Sequence, residues 1–379
     1  MEFKSSVEKQ KNVLNASQKS QLGFTLLEMI VAILIFLIVT SSIYGLLQVG
    51  RLDRNRSSRR SDIMKNARAA VHLIGRDALN AGLSYHKTGG TVPDNFLLNR
   101  FGLPDDGNNE RDNETSVVVG NNIFTNDIQG DQNIKTDTLA FAYRDLDFNN
   151  GNTITLGIPT AGSAPEITRV TTKVADAATA ANKYDLYMIE ANNSQVLVMA
   201  TEKVSNSQID FAPTDPLGIN QAFNGAGNSR SLLKPCVIEG EDDCIYFAGK
   251  DTIISLKRVF LVSYKVKQDG TLVRSTYGNN IGKPADEQIQ EQPLAYGIKD
   301  LQIRYVLDDG RVVDNPVAGK DQILGNADDV QAEGDANLIT QITVTLKVAS
   351  TEIDEQTGKP AVITLNATFS TRNLQYDIG

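Results

Sequence analysis

A single apolar run near the N-terminus limits what this chain can fold into more than any other feature. Met29 to Val39 contains no polar residue, and further apolar residues extend the stretch to Val49. The stretch is about 21 residues, or roughly 32 Å as a helix, which is close to the ~30 Å hydrocarbon thickness of a bilayer. A helix satisfies its backbone hydrogen bonds internally, so a single span is physically allowed. We therefore expect a membrane-anchored chain.

Three processing alternatives fit this run when it is considered alone. Cleavage after the run, near Thr40-Ser41-Ser42, would make it a secretory signal, although those residues are a poor cleavage site. No cleavage would make it a signal anchor. Cleavage before the run, between Gly23 and Phe24, would make it the mature N-terminus. The three alternatives differ in where the exported protein begins.

Glu28 is the one charged residue among residues 24–50, and it favours the third alternative. A carboxylate at the edge of a membrane segment is costly unless it has a partner. Cleavage after Gly23 gives Phe24 a free α-amine, and Glu28 lies four residues on, about 6 Å along a helix axis. In a bundle of staggered parallel helices, Glu28 of one chain would meet the amine of a neighbour, which compensates both charges. A carboxylate that simply faces lipid headgroups is the alternative explanation.

The residues around Glu28 carry a family resemblance. The class III signal of type IV pilins and pseudopilins is similar to the run Gly23-Phe24-Thr25-Leu26-Leu27-Glu28, followed at once by apolar residues. The resemblance implies that a prepilin peptidase cuts after Gly23 and N-methylates Phe24. It also implies that the mature helix packs with other pilin helices, with Glu28 as the assembly residue. The implied leader peptide is residues 1–23, which is longer and less basic than most leaders of that family.

The helix is predicted to continue well beyond the membrane. Proline is absent between Phe24 and Pro93, and Gly82 suits a C-terminal stop. The prediction is one helix over residues 24–82, roughly 87 Å long, with residues 24–49 in the membrane or filament core and residues 50–82 amphipathic. An apolar stripe at spacings of three and four indicates that the second half packs on a following domain. The stripe consists of Ile63, Ala67, Ala70, Val71, Ile74, Ala78 and Ala81.

Residues 83–379 are predicted to form a β-rich exported domain. Short β-like runs alternate there with loops rich in Asn, Asp and Gly, and residues 341–347 alternate polar and apolar side chains as a half-buried strand does. Asp269-Gly270 and Asp309-Gly310 are hairpin turn signals. The predicted fold class is α+β: a pilin-like long N-terminal helix, membrane-spanning in its first half, packed on an antiparallel β-rich domain with long loops.

Four later segments extend the resemblance: Asn66–Asp77 with the Ala81-Gly82 stop, Asp137–Arg144, Gly297–Tyr305 with Asp308-Asp309-Gly310, and Thr368–Asn373. They are similar to segments of PilW-type minor pilins. The resemblance implies a minor pilin that takes part in priming or tip assembly of type IV pili, and so in adhesion and twitching motility. It implies a single-pass protein of the bacterial inner membrane with a periplasmic body, found also in the pilus at the cell surface. Its implied partners are other minor pilins, the major pilin, the prepilin peptidase and a tip adhesin.

Two other functions fit the N-terminal features and remain alternatives. A type II secretion pseudopilin shares the N-terminal signal, and a membrane-tethered adhesin or binding protein shares the anchor. Other classes are disfavoured by composition. The chain has 37 basic and 46 acidic residues, a formal net charge of −9, which argues against general nucleic-acid binding. It has two His residues and no Gly-x-Ser-x-Gly elbow, phosphate-binding loop or His-Glu-x-x-His motif, so we expect no enzymatic activity.

Two loops contain candidate sites. Cys236 and Cys244 could ligate a metal, but no third soft ligand is near, and a small disulfide loop is expected in an exported domain. Asp321, Asp328 and Asp329 gather carboxylates around a Gly-Asn turn, which suits calcium, although a solvated acidic loop explains the pattern as well. No other cofactor is expected.

Overall fold

The structure, a computed structural model of the chain, contains a long N-terminal helix followed by a β-rich domain, as the sequence predicts. It separates into two compact units, residues 1–59 and residues 60–379, so the boundary falls inside the helix. The second part of the helix therefore belongs to the same unit as the domain. The structure describes residues 24–85, 89–93, 96–103, 112–128, 131–157, 169–191, 194–220, 235–236, 245–246, 254–315, 338–353, 357–371 and 373.

The long helix, α1, spans Leu26–Asn80 as one continuous element. Its apolar stripe is confirmed, because each of the seven predicted stripe residues is buried. The chain leaves the helix through Gly82, whose φ of 76° is a conformation that glycine adopts without strain. The buried residues of α1 are Ile63, Ala67, Ala70, Val71, Ile74, Gly75, Asp77 and Ala78.

The domain after α1 consists mainly of strands. Its described helical elements are α2 (Phe96–Phe101) and two 3-10 turns, Phe148–Gly151 and Ala285–Glu287. The strands are β1 (Gly90–Val92), β2 (Asp112–Glu114), β3 (Val117–Ile128), β4 (Asp131–Arg144), β5 (Ile154–Leu156), β6 (Arg169–Thr171), β7 (Leu186–Ala191), β8 (Ser194–Met199), β9 (Glu202–Ser205), β10 (Gln208–Asp210), β11 (Pro235–Cys236), β12 (Ile245–Tyr246), β13 (Ile254–Val266), β14 (Leu272–Tyr277), β15 (Ile289–Ala295), β16 (Ile298–Leu307), β17 (Val312–Val313), β18 (Ile339–Ile353) and β19 (Pro360–Ser370).

The largest sheet is organised around β13, which changes partners along its length. Its first half pairs antiparallel with β7 and β5, and its second half pairs antiparallel with β4 and β14. The main path of this sheet is β15-β14-β13-β7-β8-β1-β2, with β3 added beside β4. β1 runs parallel to β8.

The second sheet has four strands in the order β17-β16-β18-β19, and its pairings are antiparallel. Two smaller groups pair as β6-β10-β9 and β11-β12. Both predicted hairpin turns are confirmed. Asp269-Gly270 joins β13 to β14, and Asp309-Gly310 joins β16 to β17; the φ angles of the two glycines are 78° and 83°.

One hydrophobic core joins α1 to both larger sheets. The buried stripe of α1 shares this core with β3, β4, β13 and β14 of the largest sheet and with β16 and β18 of the second sheet. Asp137 of β4 links the two sheets, because its carboxylate accepts the backbone N–H of Asn122 at 2.8 Å and of Ile303, in β16, at 2.7 Å. Two further cores both include residues of β7, β8 and β13, and the second of them also includes α2 and other residues of β3, β4 and β14.

Candidate assembly site

The first part of α1 presents its apolar side chains outward. Each side chain from Phe24 to Val49 is exposed. Among the described residues, α1 is the one helix long and apolar enough to cross a membrane. Ser42, a polar residue inside this stretch, donates its hydroxyl to the Ile38 carbonyl at 2.9 Å and is thereby satisfied within the helix. Full burial of a large apolar side chain contributes a free energy of roughly 1.5–3 kcal/mol, which is lost when the side chain stays in water. This segment therefore requires lipid or other helices around it.

Glu28 forms a capping box with Thr25 in the first turn of α1. Its Oε2 accepts hydrogen bonds from the Thr25 backbone N–H at 3.0 Å and from the Thr25 hydroxyl at 3.1 Å. The same hydroxyl oxygen accepts the Glu28 backbone N–H at 3.2 Å. The box satisfies N–H groups at the helix start, where a carboxylate also interacts favourably with the helix dipole. The capping role of Glu28 was not among the sequence-based predictions, although the Thr-x-x-Glu spacing is its usual signal.

The capping box leaves Glu28 able to accept a second partner. Its bonds in the box use Oε2, and the whole side chain is exposed, so Oε1 is accessible to a donor from another chain. Phe24, which directly precedes Thr25, is also exposed. Gly23 lies outside the described residues, so cleavage after it stays a prediction. The pairing of Glu28 with a neighbouring amine needs a second chain and likewise stays a prediction.

A second carboxylate, Asp77, lies near the other end of α1 in the opposite surroundings. It is fully buried, and its Oδ2 accepts the Tyr264 hydroxyl at 2.6 Å and Arg274 Nε at 2.7 Å. Its Oδ1 accepts Arg76 Nη2 at 3.2 Å and the Tyr143 hydroxyl at 3.4 Å. Burial, and then the negative charge of Asp77, raise the pKa of Tyr143 to about 12. The tyrosine therefore keeps its proton at neutral pH and acts as a donor.

The Asp77 cluster fixes α1 against three strands of the domain. Tyr143 belongs to β4, Tyr264 to β13 and Arg274 to β14, so one helix carboxylate is bonded to all three. Gly75 makes a second close contact, because a Cβ added at this position would overlap the Phe369 ring. The sequence singled out Asp77 only through the PilW resemblance. Its position on the apolar stripe, three residues after Ile74, is the signal that it is buried.

The other predicted site residues fall mostly outside the described part of the chain. Cys236 ends β11, Cys244 lies outside the described residues, and the disulfide stays a prediction. The three acidic residues of the calcium prediction, Asp321, Asp328 and Asp329, also lie outside the described residues. Within the part of the chain that the structure describes, no group of three or more His, Cys, Asp or Glu residues could hold a metal ion.

Comparison with known proteins bears on the N-terminus. Residues 18–44 match the family model of the prokaryotic N-terminal methylation motif. The chain carries a class III signal. This supports a type IV pilin-like protein, either a pilin or a pseudopilin, anchored in a membrane by the apolar helix. The match covers residues shared by pilins and pseudopilins and so does not separate them. No curated protein matches the chain.

Proposed function

We propose that this chain is a PilW-like minor pilin that takes part in priming or tip assembly of type IV pili. The proposal rests mainly on the exposed apolar side chains in the first part of α1. Glu28, at the start of this part, lies within residues 18–44, which match the methylation motif. The PilW-like segments support the finer assignment. Two of them, Asp137–Arg144 and Gly297–Tyr305, contribute to β4 and β16, which share the core with α1 and are joined through Asp137.

Processing at the N-terminus creates the partner that Glu28 requires. In the proposed sequence of events, the precursor enters the inner membrane as a single-pass protein with its body in the periplasm. Prepilin peptidase then cuts after Gly23 and methylates the new amine of Phe24. The cut converts a backbone amide into a cationic N-terminus directly before the capping box.

Assembly then pairs Glu28 with the N-terminal amine of a neighbouring subunit. The capping box fixes the carboxylate at the helix start, and Oε1 takes the new partner. Two unit charges 4 Å apart attract by about 4 kcal/mol at an effective dielectric constant of 20. Such a pair also fixes the stagger between helices, because it forms at one relative height. The neighbours are other minor pilins and the major pilin, with a tip adhesin carried above them.

The role we propose is structural rather than enzymatic. The apolar half of α1 supplies the packing surface, and the β-rich body is displayed at the tip or along the shaft. Pilus biogenesis, adhesion and twitching motility then depend on the chain through assembly. No catalytic group is needed for any of these steps.

The N-terminal sequence of the exported protein tests the proposal most directly. We expect it to begin at N-methylated Phe24, measured by sequencing and mass spectrometry of protein from the membrane and from sheared pili. A start at Met1 or near Ser42 would contradict the pilin assignment.

A gene deletion separates the pilus from type II secretion. We expect loss of surface pili and of twitching, with secretion of exoproteins unchanged, and restoration by the intact gene. The reverse result, normal twitching with impaired secretion, would identify a pseudopilin. Binding of glycans or host material by the chain without other pilins would instead favour a tethered adhesin.

A further inference from the structure

We propose that four arginines directly after the apolar segment of α1 bind the phosphate groups of anionic phospholipids. These residues, which we call the arginine collar, are Arg51, Arg54, Arg56 and Arg59. The inference rests on the part of the proposed function that places the apolar start of α1 in a membrane. It does not depend on which assembly the chain joins.

The helix fixes the distance of the collar from the apolar segment. α1 continues without a break from the apolar residues through Arg59. At 1.5 Å per residue, Arg51 and Arg54 lie about 3 Å and about 7.5 Å beyond Val49 along the helix axis. The headgroup region on each side of a bilayer is about 5–8 Å thick. With Val49 at the edge of the hydrocarbon, these two arginines therefore lie at the level of the lipid phosphates.

The collar belongs to the same compact unit as the apolar segment. The boundary between the two units falls after Arg59. Arg51 and Arg54 are exposed, and no described residue forms an ion pair with either of them. Their guanidinium groups are therefore available to a ligand from outside the chain. The other two arginines of the collar lie up to about 7.5 Å further along the axis, within the Debye length of about 8 Å at physiological ionic strength.

The arginines surround the helix instead of forming a stripe along it. At about 100° per residue, the four positions of the collar are spread over about 200° of the helix circumference. Asp53, the one acidic residue among residues 50–59, starts on the remaining side. Lipid surrounds a membrane helix on all sides, whereas a protein partner covers one side. The distribution of the arginines therefore favours lipid as the ligand.

The chemistry of the collar selects lipids by charge. A guanidinium group stays charged at physiological pH and donates two parallel hydrogen bonds to phosphate oxygens. Residues 50–59 contain four basic groups and one acidic group, a net charge of +3. Each cation near an anionic membrane surface strengthens binding about fivefold. The collar should thus prefer anionic to zwitterionic phospholipids, and this attraction fixes the depth of α1 in the membrane before it joins other helices.

Native mass spectrometry of the full-length chain, purified from membranes in a mild detergent, tests the collar. The protein is mixed with equal amounts of dioleoylphosphatidylglycerol and dioleoylphosphatidylcholine, and the ratio of the two bound lipids is measured. We expect the parent to bind the anionic lipid preferentially. Arg51→Gln combined with Arg54→Gln should lower the ratio about tenfold or more. No preference in the parent, or an unchanged ratio in the double variant, would overturn the inference.

Arg68→Gln combined with Lys173→Gln is the matched control. Both residues are exposed and lie in the other compact unit, and the pair of substitutions removes the same charge. The lipid ratio of the control should equal that of the parent. An equal fall in both double variants would show an effect of net charge alone and would contradict a collar. Both double variants should keep the melting temperature of the parent, because the substituted side chains are exposed.

Two further measurements identify a different ligand if there is one. Glycerol 3-phosphate, added in excess, should leave the bound lipid in place, since it lacks the acyl chains that keep a lipid beside the helix. Displacement of the lipid would indicate a site for soluble phosphates and would overturn the inference. So would an unchanged lipid ratio combined with loss of the Arg51 and Arg54 double variant from sheared pili, which would assign the arginines to an acidic neighbouring subunit.

The mass of the chain in the same spectrum distinguishes the failure of this inference from that of the proposed function. A chain that begins at Phe24 and shows no lipid preference overturns the collar and leaves the minor pilin assignment in place. A chain that keeps its leader and still shows the preference, lowered by the two collar substitutions, overturns the assignment and leaves the collar in place.

Discussion

Two carboxylates on one helix meet opposite surroundings. Glu28 is exposed, and its hydrogen bonds in the described chain stay within the first turn, to Thr25. Asp77 is fully buried and is bonded to side chains from three strands and to Arg76. The helix therefore keeps one acidic group for contacts within the chain and leaves the other open to contacts between chains.

The apolar residues of α1 follow the same division. Those up to Val49 are exposed on every side of the helix, whereas those from Ile63 to Ala78 form a buried stripe. An amphipathic stripe suits a helix that packs on its own domain, and an apolar surface all around suits a helix surrounded by lipid or other helices. Changes in the second half should thus alter folding, and changes in the first half should alter assembly. The following predictions take the second half first, from the largest effect on folding to the smallest, and then turn to assembly.

Asp77→Ala should cause the largest loss of folding stability, about 3–5 kcal/mol. The substitution leaves Arg274 largely buried without its carboxylate, and an uncompensated buried charge is strongly destabilising. Urea unfolding followed by tyrosine fluorescence measures the loss. Asp62→Ala is the matched control on the same helix, because Asp62 makes an exposed ion pair with Lys65 at 3.7 Å and should contribute less than about 0.5 kcal/mol. Equal losses in the two variants would contradict the anchoring role of Asp77.

Asp137 should make the domain more stable as the pH falls from 7 to 4.5. Burial raises the pKa of this carboxyl group from 3.8 to about 6, although its hydrogen bonds from Asn122 and Ile303 act in the opposite direction. A raised pKa means that the folded state binds the proton more tightly. The contribution of Asp137 to the free energy of unfolding is therefore complete below pH 3.8 and is lost as the pH rises through 6. Between pH 7 and 4.5 it amounts to about 2 kcal/mol.

Asp137→Asn should flatten this part of the pH profile, as measured by urea midpoints at both pH values. Asp309→Asn is the control, since the Asp309 carboxylate is held in its charged form by hydrogen bonds from the Arg311 backbone and side chain, which lower its pKa. The stabilising contribution of Asp309 is complete above pH 3.8 and is lost only at lower pH, so Asp309→Asn should leave the slope of the profile between pH 7 and 4.5 unchanged. Parallel profiles for the parent and Asp137→Asn would show that Asp137 does not titrate in this range.

Gly75→Ala should destabilise the domain by about 1 kcal/mol. The added methyl would collide with the Phe369 ring, and overpacking of this kind costs about 1–3 kcal/mol. Alanine recovers up to about 1 kcal/mol through its better helix propensity. Gly50→Ala is the matched control in the same helix, because no atom lies within 4 Å of the added Cβ. Thermal unfolding of both variants measures the difference, and a gain in stability for Gly75→Ala would show that the ring moves aside freely.

The extent of α1 and its buried stripe were predictable because both depend on local spacing along the chain. The two Asp-Gly turns were predictable for the same reason. The partners of Asp77 were not, since Tyr264 and Arg274 lie 187 and 197 residues away in sequence and are brought there by sheet formation. The division of β13 between different partner strands is equally non-local. The capping box was local and could have been found from the positions of Thr25 and Glu28.

Glu28→Gln should have the smallest effect on folding and the clearest effect on assembly. Glutamine keeps an oxygen that can accept the Thr25 N–H, so the capping box persists, and the unfolding free energy should change by less than about 0.5 kcal/mol. The negative charge that would pair with a neighbouring amine is lost. Processing to Phe24 should continue, while the amount of this chain recovered in sheared pili, measured by immunoblot, should fall about tenfold or more.

Thr25→Ala separates capping from charge. It removes the hydroxyl of the box but keeps the carboxylate, so the helix start loses roughly 0.5–2 kcal/mol of capping energy while the charge pair remains possible. If the charge governs assembly, Thr25→Ala should retain most of the chain in pili and Glu28→Gln should not. If the amount of the chain in pili falls equally in both variants, the capping geometry is needed as well, because the carboxylate must be held in place to meet its partner. Normal incorporation of Glu28→Gln would show that Glu28 has no role between chains, and the contrast with Asp77 would then reduce to one of burial.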